Sequence, residues 1–421
     1  MKKRFAVTKI ILLLLVVTLP LSGCGAAVNA VDLMDGIEPK TGVNNVDITG
    51  YGATAATDFA VRLLQNCTDG NENAVISPVS VLMAMAMTAN GADGETLSQM
   101  ESVFGMNMDE LNEYLRAYMQ SLPQGDKYKL DIANSIWFRD SDNFSADESF
   151  LQANADFYNA GAFKAPFDNS TLRDINRWVE DNTDGMIKDI LNDISEDAVM
   201  YLVNAVAFDA EWQNIYYETD VREGVFTCAD GSTKTADFMY SDEYAYLEDE
   251  LATGFMKYYS DGKYAFAALL PDEGVVMEDY IASLTGEKIN KMLSESSETG
   301  YTVHASIPKF ECEYSSEMSG VLSDMGMTDA FDLADADFSR LGTADDNIYI
   351  NCVLHKAFIE VGEKGTRAGA ATVVEMDNGA AAFEDESTIK TVHLDRPFVY
   401  MIIDCESMIP AFIGVTVSAG R

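Results

Sequence analysis

Apolar and polar positions alternate along this chain with two periods, and each period predicts a type of element. Phe59, Ala60, Leu63 and Leu64 fall on one face of a helix running from Thr57 to Asn66. Val75 and Ile76 form a short strand leading into Ser77-Pro78-Val79-Ser80, where Pro78 opens a helix from Val79 to Asn90 that Gly91 closes. Further helices are predicted from Thr96 to Phe104, Met108 to Gln120 and Ile175 to Asn182, the last stopped by Gly185. Ile132 to Phe138 is strand-like, and Met200 to Phe208 is almost wholly apolar, the mark of a strand covered on both faces. Strands are also predicted from Tyr264 to Leu270, Tyr301 to Phe310, Phe358 to Val361, Phe398 to Ile403 and Ala411 to Val417. Helices cluster early and strands late, which argues for an α+β fold rather than alternating βαβ units.

The N-terminus departs from both periods. Met1-Lys2-Lys3-Arg4 is positive, Ile10 to Val17 is apolar without a break, and Leu21-Ser22-Gly23-Cys24 follows. The apolar run is too short to span a bilayer and has the flanks of a secretory signal, predicted over residues 1–23. The small pair before a cysteine resembles the bacterial lipobox, in which Cys24 becomes a lipidated first residue. Two or more acyl chains bury enough CH₂ groups for stable anchoring, at about 0.8 kcal/mol each. Residues 24–50, rich in Ala, Asn, Asp and Gly, are expected to form a flexible tether. Residues 51–421 then form one large domain, lipid-anchored at the cell envelope and facing outward.

Charge narrows the partners. The chain has 421 residues, with 28 Lys+Arg against 69 Asp+Glu, a formal charge of −41. The leader holds four basic residues and no acid, so removing it deepens the charge to −45. Such a field repels polyanions and excludes nucleic acid as a partner. It equally disfavours adhesion to anionic lipid by surface charge. Hydrophobic residues at 48% still supply a packed interior. Six cysteines, at 24, 67, 228, 312, 352 and 405, lack CxxC or Cys/His spacing, so buried free thiols are expected rather than zinc or a disulfide framework.

Catalytic signatures are sparse. The three histidines, His304, His355 and His393, accompany no Gly-x-Ser-x-Gly elbow, and the chain carries no Walker loop, GxGxxG or HExxH. His355, between apolar stretches, reads as a hydrogen-bonded core histidine. The acidic runs Asp242-Glu243 and Glu248-Asp249-Glu250 read as solvated faces, and neither metal nor cofactor is expected.

One segment stands apart. Residues 360–372 read Glu-Val-Gly-Glu-Lys-Gly-Thr-Arg-Ala-Gly-Ala-Ala-Thr, and the next strand signal waits until Asp395-Arg396-Pro397-Phe398. A long stretch without core periodicity inside a domain is usually functional or disordered. Thr366, Ala368, Ala370, Thr372, Val374 and Met376 fall on one period-2 face, all uncharged. Arg367, Gly369, Ala371, Val373, Glu375 and Asp377 fall on the other, which carries every charge. Such a segment can enter a sheet with small residues inward. An Ala-rich loop or a helix is the competing reading.

At these residues the chain resembles a serpin. Glu363-Lys364-Gly365-Thr366-Arg367-Ala368-Gly369-Ala370-Ala371-Thr372 matches the family's inhibitory hinge. His355-Lys356-Ala357-Phe358, Ser77-Pro78-Val79-Ser80, Asn204-Ala205-Val206-Ala207-Phe208 with Trp212, Ile307-Pro308-Lys309-Phe310 and Asp395-Arg396-Pro397-Phe398 resemble other family blocks, in the family's order.

The resemblance implies three sheets, eight or nine helices and an exposed reactive-centre loop. A serine, or sometimes cysteine, protease attacks the loop, and the severed loop enters the central sheet with the acylated enzyme attached. The protein itself is then no enzyme, and a monomer is expected. Gly365 would be a pivot tolerating unusual dihedrals. Thr366 would lead the inward residues, followed by Ala368, Ala370 and Thr372, with Gly369 and Ala371 between them. Glu363 would pair with Lys309 near Trp212, and Ser77, Ser80, Asn204 and His355 would form a polar gate. Gly365 and Pro397 are several residues further apart than the family usually shows. Counting forward puts the scissile bond at Gly379–Ala380; counting back puts it near Glu386. Ala380, Ala381 and Ala382 suit elastase-like or subtilisin-like enzymes, and Phe383 a chymotrypsin-like one. No Lys or Arg lies between Arg367 and Lys390, so trypsin-like enzymes lack a bond to cut. A non-inhibitory serpin, acting as chaperone, carrier or decoy, is the alternative.

Overall fold

The apolar run at Met200 extends into a strand, Met200–Glu211, at the middle of a seven-stranded sheet. The computed structural model describes residues 30–40, 46–122, 128–141, 143–195, 198–260, 262–296, 300–366 and 388–420. In this main sheet the strand order is Val31–Asp32, Gly161–Ala165, Tyr128–Arg139, Met200–Glu211, Gly365–Thr366, Cys352–Val361 and Phe310–Glu317. Met200–Glu211 also pairs directly and in parallel with Cys352–Val361, from Tyr201↔Cys352 to Val206↔Ala357. A six-stranded sheet holds Ala74–Ile76, Ile409–Thr416, Phe398–Asp404, Tyr264–Pro271, Ala252–Tyr258 and Ala245–Glu248. A four-stranded sheet holds Ile389–His393, Thr302–Pro308, Thr233–Glu243 and Val221–Thr227. Nine α-helices occur among the described residues, with a two-stranded ladder joining Gly342–Thr343 to Ser145–Ala146.

Two cores flank the main sheet. On one face Phe208 meets Tyr259, Tyr264 and Phe412 edge-on or tilted, tying the main sheet to the second one. The helix Pro78–Ala89 lies on this side too, and all twelve of its residues are buried. Its apolar character on every side is what a helix enclosed by sheets requires. On the other face the helix Asn169–Asn182 contributes Ile175 and Val179 to a cluster with Trp137, Phe163, Tyr201, Val203 and Ala205. Asp168 caps this helix together with Thr171.

Two expectations are corrected and four strands are added. The strand expected from Tyr301 to Phe310 is two, Thr302–Pro308 and Phe310–Glu317, in different sheets. At the join, the Lys309 N–H turns to Asp237 O at 2.8 Å. Four strands between Val221 and Tyr258 join the expected sheets; charged residues interrupt the alternation of the first two, and the third is short. Residues 30–40 are docked rather than free. Val31 and Asp32 pair with Lys164 and Phe163, and the Leu33 N–H donates to Ala162 O at 2.8 Å. Leu33, Met34 and Ile37 pack on the core. The strand Gly161–Ala165 would otherwise leave an open edge, and this segment satisfies its backbone groups.

Candidate functional site

The main sheet is split at its upper end. Below, Met200–Glu211 and Cys352–Val361 are zipped directly together as far as Val206 and Ala357. Above, they part, and the pair Gly365–Thr366 sits between them, with Gly365 against Glu211 and Thr366 against both Ala210 and Val361. The predicted first inward residue is thus already seated: Thr366 is fully buried, its hydroxyl 2.5 Å from that of Tyr259. The reason for glycine at 365 is space, not dihedral freedom. A Cβ there would lie 1.9 Å from Ala210 O, and Gly365 is not among the positive-φ glycines. The expectation of a dihedral pivot is corrected accordingly.

The turn Gly362–Lys364 leading into this pair is gripped from one side. The Trp212 N–H donates to Lys364 O and the indole N–H to Gly362 O, each at 2.8 Å, while the Tyr216 N–H donates to Glu363 O at 2.9 Å. Trp212 stacks on Tyr259 with centroids 4.3 Å apart. On the other side Lys309 Nζ reaches Glu363 Oε1 at 2.7 Å, as the resemblance implied. Burial raises the Glu363 carboxyl, but the hydrogen bond to Lys309, a backbone hydrogen bond and the Lys309 charge together outweigh this and hold it below the usual range. The pair is part-exposed, so its energetic worth is about 0–1 kcal/mol, and positioning is its larger effect.

Further down, the four predicted gate residues meet. The Ser77 N–H donates to His355 Nε2 at 3.2 Å, so the ring proton sits on Nδ1 and is donated to Asn204 Oδ1 at 2.5 Å. Asn204 Nδ2 in turn donates to the Ser80 hydroxyl and to Asn134 Oδ1. Asn134 escaped the sequence reading; its signal was a lone amide within an otherwise strand-like apolar stretch. Both nitrogens of His355 are committed, and the Ser77 hydroxyl donates to Ala411 O, so no nucleophile–base dyad exists here. His304 pairs with Asp242 and His393 with Ser306, and no Ser/His/Asp triad forms among the described residues.

Burial pushes the His355 pKa down to about 3 from an ordinary 6.5. The unfolded chain therefore binds a proton below 6.5 that the native state refuses. Stability associated with this residue is complete above that pH and is lost as pH falls towards the folded value. As pH falls from 6.5 to 5 the native state should weaken with a slope that approaches about 1.4 kcal/mol per unit relative to a His355→Gln variant, measured by urea unfolding of both proteins. Parallel curves for the two would refute the assignment.

The hinge residues Ala368, Gly369, Ala370, Ala371 and Thr372, the cleavage candidates Gly379, Ala380, Ala381, Ala382 and Phe383, and Cys24 lie outside the described residues. Cys67, Cys228, Cys312, Cys352 and Cys405 are free thiols, buried or partly so.

Comparison with known proteins settles what this arrangement belongs to. The family model described as "Serpin (serine protease inhibitor)" matches residues 54–419. The chain belongs to the serpin family. It is 31% identical over 367 residues to an uncharacterized serpin-like protein of Thermococcus kodakarensis, covering 86% of this chain and 84% of that one. It is 28% identical over 376 residues to leukocyte elastase inhibitor A of Mus musculus, covering 83% and 94%. Among solved structures, it superposes on the native state of tengpin, a thermophilic serpin, with a TM-score of 0.87 and 46% identity, covering 92% and 99%. Serpins generally inhibit proteases and bind them as partners, and are not themselves enzymes.

Proposed function

We propose that this serpin inhibits serine proteases of elastase-like or subtilisin-like preference by covalent trapping. After acylation the severed loop enters the main sheet and carries the enzyme with it. The observation that carries this reading is the seated hinge: Thr366 is buried at the head of a split in the sheet, and the inward positions after it are small and uncharged. Insertion then proceeds from an existing nucleus without burying a charge on the face that Thr366 leads.

Incubation with subtilisin-like, elastase-like and trypsin-like enzymes tests it. The first two should give a protein–protease band that survives boiling in detergent, and the third should not. Cut serpin with fully active protease in every case would reject inhibition. That result would instead favour the decoy reading, for which the lengthened span from Gly365 to Pro397 is the supporting feature.

The lipobox-like Leu21-Ser22-Gly23-Cys24 supports an anchor at the cell envelope with the folded part facing outward. A Cys24→Ser variant should move from the membrane pellet to the soluble fraction; retention in the pellet would refute the anchor.

A further inference from the structure

The grip on the hinge turn is itself braced from beneath by a buried charge pair. Lys257, on the strand Ala252–Tyr258, is 2% exposed, and its Nζ lies 2.9 Å from Glu243 Oε1. The same ammonium sits 4.4 Å from the Tyr216 ring centroid and 5.6 Å from that of Trp212. Glu243 Oε1 also accepts the Ser241 hydroxyl at 2.7 Å, and Ser241 Oγ lies 3.1 Å from the Tyr216 hydroxyl. Lys257, Glu243, Ser241 and Tyr216 thus close a ring beneath the 212–216 segment.

That segment is otherwise tied at its start, where Trp212 stacks on Tyr259 and the Gln213 N–H donates to Tyr258 O at 3.0 Å. After Trp212 the chain leaves the main sheet, and residues 213–217 form neither helix nor strand. Yet its backbone and indole supply the three donors that hold the carbonyls of Gly362, Glu363 and Lys364. Both of its large rings rest on one cation in a water-poor site, where attraction between a cation and a ring face is strongest. A charge buried this deep is tolerated because Glu243 neutralises it.

We propose that the Lys257–Glu243 pair positions the hinge: it fixes the Trp212–Tyr216 brace, and through it the register in which Thr366 waits at the split. Its role in inhibition rests on the trapping reading above. Without the cation the brace loosens, the hinge turn loses its three donors intermittently, and the severed loop enters the sheet more slowly. More acyl-enzyme is then hydrolysed before it is trapped.

Single variants leave one buried charge unpaired and can fail to fold, so the decisive protein is the double variant Lys257→Met with Glu243→Gln. Methionine keeps the apolar stem and glutamine can still accept from Ser241. Amide hydrogen exchange of the uncut protein at Trp212 and Tyr216, whose N–H groups are the donors, reads the grip directly, and exchange across residues 362–366 reads the seated pair; both should be accelerated about tenfold or more, while exchange in the Phe398–Asp404 strand is unchanged. With a subtilisin-like enzyme, the moles of serpin consumed per mole of protease trapped should rise several-fold at a temperature well below melting. Parental exchange across 362–366 would overturn the proposal whether or not the parent inhibits. Accelerated exchange with parental stoichiometry would overturn its link to trapping. A parent that forms no covalent complex would defeat the inhibitory reading alone, with the exchange result still deciding the grip.

Discussion

A Thr366→Arg variant should give cut serpin and free protease where the parent should give a trapped complex. Thr366 is fully buried between Ala210 and Val361 with its hydroxyl against that of Tyr259, so a guanidinium seated at that position would be cut off from water. Burying an unpaired charge there costs on the order of several kcal/mol. The cheapest escape in the uncut protein is to withdraw Gly365 and Thr366 from the sheet top. That surrenders a two-residue pairing and leaves the surrounding strands in place. The melting temperature of the uncut variant should therefore move by only a few degrees. After cleavage the same charge must pass inward, and a barrier raised by only about 1.4 kcal/mol slows insertion tenfold. The race against deacylation is then lost, and the yield of detergent-resistant complex should fall at least about tenfold. Thr366→Val is the control, since it keeps the shape, loses only the bond to Tyr259 and should still trap. Equal complex yield from the Arg variant and the parent would show that Thr366 does not travel inward.

How far such a site can be read from sequence depends on which physical signal each part leaves. Met200–Glu211 announced itself because a strand covered on both faces must be apolar nearly throughout. Val221–Thr227 and Thr233–Glu243 did not, because one face is wet and their alternation is interrupted by Gly224 and by runs such as Thr233-Lys234-Thr235. The pairing of Lys309 with Glu363 joins positions 54 residues apart, and only the family resemblance linked them. Gly365 was legible as a special position but for the wrong reason. A glycine codon records that a side chain is excluded, not whether the dihedral angle or a carbonyl 1.9 Å away excludes it. The pair of Lys257 and Glu243 under Tyr216 left no trace, since an isolated lysine among aromatics looks like any snorkelling surface residue and Asp242-Glu243 looks like a solvated acidic run, whereas Glu243 is buried. The docking of residues 30–40 was hidden by composition alone, because an edge pairing asks for backbone groups rather than for a side-chain pattern.

Nicking the loop should raise the melting temperature by about 10 °C or more, and the existing register shows where that stability comes from. Gly365 and Thr366 run antiparallel to Glu211 and Ala210, while Thr366 also pairs with Val361. Continued down the sheet, this register sets Thr372 opposite both Asn204 and His355, six residues on along each strand. The hydrogen bond from His355 to Asn204, at 2.5 Å, must therefore open, and Thr372 brings a hydroxyl to the groups it parts. Ala371 and Val373 would face the side where Val203 and Ala205 lie in the cluster with Ile187 and Ile190, and their small, uncharged side chains suit that cover. The ladder ends with Glu375 beside Tyr201 and Cys352, four residues short of the forward-counted bond at Gly379–Ala380. One direct parallel pairing is thereby replaced by two antiparallel ones. With about ten new main-chain hydrogen bonds at about 1 kcal/mol each, less those lost from the parallel pair, the gain amounts to several kcal/mol. Scanning calorimetry of the uncut protein and of nicked protein freed of protease measures it. A nicked form that melts at or below the uncut temperature would mean that the severed segment stays outside the sheet, and trapping would then have no driving force.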